Sequence, residues 1–155
     1  MTDAPQKNNL PAFSMDKIYV KDLSLEIPHA PRIFLERDNL QIDVQLHTQA
    51  ASIQEGLFEV VVMATVTANI GERVMFLIEA KQAGIFHISN VPAGELEVIL
   101  AVMCPNILFP YLRAVVSDVS VRAGFAPVLL NPINFEELYQ RQKLQTQEAV
   151  PATTH

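Results

Sequence analysis

The residues able to do chemistry are few and scattered. The chain has one cysteine, Cys104, and four histidines, His29, His47, His87 and His155, with no short spacing at which two of them would bind one metal ion. Cys104 precedes a proline in an apolar run with no cationic neighbour to lower its pKa, so a buried, inert thiol is expected instead of a nucleophile. Asp22 and Glu26 share a strand face, but four residues at the strand rise set them roughly 13 Å apart, too far for two carboxylates acting on one bond. The plain reading is a solvated strand face; the functional alternative is an acidic patch, which Glu79 reinforces if its strand lies alongside. The five glycines are too dispersed for a phosphate cradle. No cofactor, no metal and no catalysis are therefore expected, the rival being an enzyme that uses Cys104.

The elements that must position these residues fall into two halves. Ile18–Ile27 alternates, with Tyr19, Leu23, Leu25 and Ile27 on one face and Val20, Asp22, Ser24 and Glu26 on the other, and Lys21 as the exception on the apolar side. Leu40, Ile42, Val44 and Leu46 then oppose Gln41, Asp43, Gln45 and His47 without error. Leu57–Ile70 is the longest strand candidate, and Gly71-Glu72 turns it into a hairpin with Val74–Ala80. Helices follow. Gly94–Met103 is expected to stop at Cys104-Pro105-Asn106, before a second helix, Ile107–Ala123, that Gly124 ends. Asn134 with Glu137 three residues on resembles a capping box, opening a last helix with Phe135, Leu138, Tyr139 and Leu144 as a thin apolar stripe. The fold class is α+β: a four-stranded antiparallel sheet with helices packed on one side.

Half of the 155 residues are hydrophobic and 18% are charged, enough for one globular core. Residues 1–12 and 145–155 read as flexible tails around a domain at 13–144. Every long apolar window is interrupted, so no membrane insertion is expected, and the N-terminus lacks the pattern of a secretion signal, which favours a cytoplasmic location. A net charge of -6 argues against nucleic acid and for a basic protein partner. Leu57, Val61 and Met63 leave apolar surface on the second face of the sheet, which points to oligomerisation. The aromatic group Phe109, Tyr111, Phe135 and Tyr139 reads on composition as core packing, with a binding surface as the alternative.

The run Cys104-Pro105-Asn106-Ile107-Leu108-Phe109-Pro110-Tyr111 resembles the SecB family of bacterial protein-export chaperones. The likeness continues through Leu130-Asn131-Pro132-Ile133-Asn134-Phe135 and begins upstream at Ile18-Tyr19-Val20-Lys21-Asp22-Leu23-Ser24-Leu25-Glu26-Ile27-Pro28, so it covers the chain from about Ile18 to about Tyr139. It implies a cytosolic holdase, a homotetramer built as a dimer of dimers, that keeps unfolded preproteins in hydrophobic grooves and delivers them to SecA. By motif position Asp22, Glu26, Leu77 and Glu79 match the family's SecA-binding surface. Tyr111 and Tyr139 match groove positions, with Phe135 and Leu138 beside them, and Phe76 and Ile78 are expected at the oligomer interface. The stretch after Pro31 matches the loop bordering the groove, but it reads Arg37-Asp38-Asn39-Leu40, where family members carry a tryptophan and a proline. The other reading is a structural or peptide-binding oligomer not dedicated to export.

Overall fold

Four antiparallel strands carry the molecule: β1 (Ala12–Glu26), β2 (Gln41–Gln54), β3 (Leu57–Ile70) and β4 (Arg73–Ser89), in the order β1-β4-β3-β2. They are seen in a computed structural model that describes residues 10–149. The alternation read in the sequence becomes a difference between two faces. Val60, Val62, Ala64, Val66 and Ala68 of β3 are fully buried on what we call the inner face, and the register pairs them with Gly84, Gln82, Ala80, Ile78 and Phe76 of β4. Gly71 makes the β3–β4 turn at a φ of 61°, where a side chain is strained.

The inner face is roofed by one long helix. α1 (Ala93–Val98), a π turn (Ile99–Met103) and α2 (Cys104–Arg122) follow without interruption, so the expected break at Cys104-Pro105-Asn106 does not occur. Pro105 cannot donate a backbone hydrogen bond, and its ring crowds the carbonyl four residues back; the wider π turn directly ahead of it accommodates both. The joined helix, Ala93–Arg122, is long and apolar enough to cross a membrane by length and composition alone. Here it lies along β3 and β4, burying Cys104, Leu108, Leu112 and Val116 completely. Gly84 permits the approach, since a Cβ there would stand 3.0 Å from Leu108 Cδ2.

Two expectations about the strands need correction. Phe76 and Ile78 are 0% exposed under this roof, so they belong to the core and not to an oligomer interface. In β1 the pairing steps from Val20↔Gln82 to Asp22↔Lys81, leaving Lys21 as the extra residue of a β-bulge. The bulge reverses the alternation. Tyr19, opposite Ala83, therefore lies on the outer face with Asp22, Ser24 and Glu26, whereas Leu23 and Leu25 pair with Ala80 and Ile78 on the inner one. A second bulge lies between Met15 and Lys17.

The last helix, α3 (Phe135–Ala149), starts as its sequence suggests: Asn134 Oδ1 accepts the Glu137 backbone N–H at 3.1 Å. β1 begins at Ala12 and α3 continues to Ala149, so regular structure passes the 13–144 bounds at both ends. The remainder of the two expected tails, 1–9 and 150–155, lies outside the described residues.

Candidate functional site

α2 covers β3 and β4 but stops short of β2, and the uncovered part of the inner face is an apolar groove. Its floor is Ile42, Val44 and Leu46, the error-free alternation of β2. Its wall is the extended segment 127–131, with Ile133 and Leu138 closing one end around a space of ≈ 540 Å³. The wall is held by one buried hydroxyl: Ser120 Oγ accepts the Val128 N–H at 2.9 Å and donates to the Ser117 carbonyl at 2.8 Å. Val128 and Leu130 then point into the core while Leu129 between them is 65% exposed. Ile42 (46%) and Val44 (39%) are similarly open. A period-2 strand flanked by a second alternating segment is the sequence signal for this groove, yet the wall residues and Ser120 escape sequence reasoning because their pairing is long-range.

The four residues expected to line a trough are dispersed. Leu138 lies in the groove; Phe135 is 1% exposed, with its ring edge-on to Phe109 at 5.8 Å, and is a core residue. Tyr111 is half exposed on α2. Tyr139 borders a separate hollow of ≈ 280 Å³ with Thr48, Glu97 and Leu100, where partial burial and a hydrogen bond to Glu97 push its hydroxyl pKa upward. The loop between β1 and β2 is anchored by fully buried Ile33, by Phe34 stacked on Phe125 at 5.3 Å, and by an ion pair of Glu36 with Arg73.

Among the described residues the outer face carries no helix. Across the β1–β4 ladder Asp22 stands opposite Lys81, Ser24 opposite Glu79 and Glu26 opposite Leu77, so all four residues matched to a partner surface share one stretch of this face. Cys104, by contrast, is fully buried, and desolvation pushes its thiol pKa up to about 12, which removes the thiolate a nucleophile needs near neutral pH. Among the described residues no three His, Cys, Asp or Glu side chains gather in a way that could hold a metal ion.

Asp22, Glu26, Leu77 and Glu79 thus share one face of the sheet, and the apolar groove lies on the other. The family model described as preprotein translocase subunit SecB matches residues 6–146. The chain belongs to the SecB family. It is 54% identical over 152 residues to the protein-export protein SecB of Methylobacillus flagellatus, covering 98% of this chain and 97% of that one. Against the protein-export protein SecB of Nitrosomonas europaea it is 58% identical over 147 residues, 94% and 89% of the two chains. Among solved structures, a SecB-like chaperone of Mycobacterium tuberculosis, in complex with a peptide from an antitoxin, matches with a TM-score of 0.65 at 16% identity, covering 78% of this chain and 90% of the other. That likeness confirms the fold: the four-stranded sheet with its helix on one side. SecB proteins are chaperones of protein export, so a chaperone role in export follows from membership.

Proposed function

We propose that the chain is a cytoplasmic holdase that binds unfolded preproteins in the groove between β2 and segment 127–131 and delivers them to SecA through the outer acidic face. The open apolar groove carries this reading. An unfolded chain exposes apolar side chains in no fixed order, and a trough of Ile, Val and Leu accepts many of them without demanding one sequence. The far edge of β2 pairs with no strand in the described chain, so an extended client laid beside the groove also meets free backbone groups.

Assembly as a dimer of dimers fits two further surfaces. Val98, Met103, Tyr111 and Val121 leave apolar area on the solvent side of the long helix, and the β1 edge presents Val20, Leu23 and Leu25 at 38–44% exposure. A tetramer places several grooves within reach of one long client, and binding at one raises the effective concentration at the next.

The SecA assignment is tested with the combined variant Asp22→Asn, Glu26→Gln, Glu79→Gln. Its affinity for SecA should fall by about tenfold or more and lose much of its salt dependence, with client binding intact. Wild-type SecA affinity in this variant would reject the assignment.

A further inference from the structure

The bulge at Lys21 decides which β1 side chains face outward. If the extra residue were taken back into the ladder, everything after it would shift by one position. Asp22, Ser24 and Glu26 would then turn under the helix side, and Leu23 and Leu25 would turn out. Within the described chain β1 pairs with β4 alone, so inside the protomer its register rests on a single ladder.

Side chains grip the bulge from both faces. On the outer face Glu59, from β3, reaches across β4 to take a hydrogen bond from the Tyr19 hydroxyl and an ion pair from Lys21 Nζ at 2.6 Å. On the inner face Gln82, only 3% exposed, donates Nε2 to the Tyr19 backbone carbonyl at 3.2 Å. Gln82 is a costly residue to place there, because its buried Oε1 has no hydrogen-bond partner among the described residues. The hydrogen bonds from Lys21 and Tyr19 also draw the Glu59 carboxyl below its ordinary pKa, which keeps it charged as the acceptor of both.

We propose that Tyr19, Lys21, Glu59 and Gln82 form a clamp on the bulge that fixes the β1 register and so holds Asp22 and Glu26 on the SecA-facing surface. These are positioning residues, and the proposal rests on the reading of the acidic face as the SecA site. It makes a prediction that charge alone reverses. Lys21→Met makes the outer face more negative, so pure electrostatics demands tighter SecA binding, whereas loss of the clamp demands weaker binding.

The experiment measures SecA affinity, preprotein affinity and amide exchange over residues 19–26 for Lys21→Met and Gln82→Met, with the combined acidic-face variant as control. The expected result is SecA binding weakened about fivefold in Lys21→Met, the upper range for an exposed ion pair. Gln82→Met should weaken it similarly with no change of charge. Exchange at residues 19–26 should be faster in both, with client affinity unchanged. Equal or tighter SecA binding by Lys21→Met, while the acidic-face variant loses binding, overturns the clamp and leaves the SecA reading standing. If the acidic-face variant binds SecA normally, the SecA reading fails and amide exchange alone judges the clamp: unchanged exchange in Lys21→Met overturns it, and faster exchange upholds it.

Discussion

The two faces of the sheet are built from neighbouring residues and serve opposite ends. Ile78 and Glu79 are adjacent in β4, yet Ile78 is fully buried beneath α2 while Glu79 stands on the uncovered outer face beside Ser24 and Thr65. The inner face holds the molecule together wherever α2 reaches and becomes a groove where it does not. The outer face has no helix packed on it among the described residues. Burial beneath α2 and exposure on the uncovered face are thus separated by strand parity, and a single bulge in β1 is enough to exchange the two for the residues that follow it.

The largest effect that sharpens this contrast is at the core. Ile78→Ala should cost about 2–5 kcal/mol in urea unfolding, whereas Glu79→Gln should stay within about 0.5 kcal/mol. Equal costs would break the distinction between the faces. A charge at this place, as in Ile78→Asp, should abolish folding outright and not produce smaller oligomers, because no solvent reaches it.

The smallest effect is a pH dependence on the outer face. Glu59's carboxyl is lowered below 4.5 in the folded chain, so its contribution is fully present above that value and is lost as the pH falls through the lowered one. The stability difference between wild type and Glu59→Gln, up to about 1 kcal/mol at neutral pH, should therefore shrink on acidification from pH 5 to pH 3. A difference that stays constant over that range would mean Glu59 makes no folded-state ion pair.

How much of this was readable in advance depended on how local the cause was. β2 was legible because Ile42, Val44 and Leu46 obey period 2 without error, and the start of α3 was legible because its cap lies three residues from its partner. The same-face placement of Asp22 and Glu26 also held, since both follow the bulge. Tyr19 and Val20 precede it and lie on the faces opposite to those the alternation predicts; Lys21, the one mismatch in the pattern, is the trace of the bulge. Phe76 and Ile78 are not legible as core because alternation puts them on one face of β4 and only the position of α2 tells which face is roofed. The helix break failed for a related reason: proline's local rule does not foresee a π turn. The groove wall depends on Ser120 meeting Val128 across the end of α2, a contact no spacing announces.

The central claim is that the groove holds unfolded clients, and native mass spectrometry with an unfolded preprotein tests it most directly. Wild type should appear as four 17.3 kDa chains that gain the mass of a client. The variant Ile42→Ser, Leu129→Ser, altered only at exposed groove positions, should remain a tetramer but bind the client more weakly by roughly 1–3 kcal/mol. Wild type that gains no client mass, or a variant that retains the client as firmly as wild type, would contradict the account.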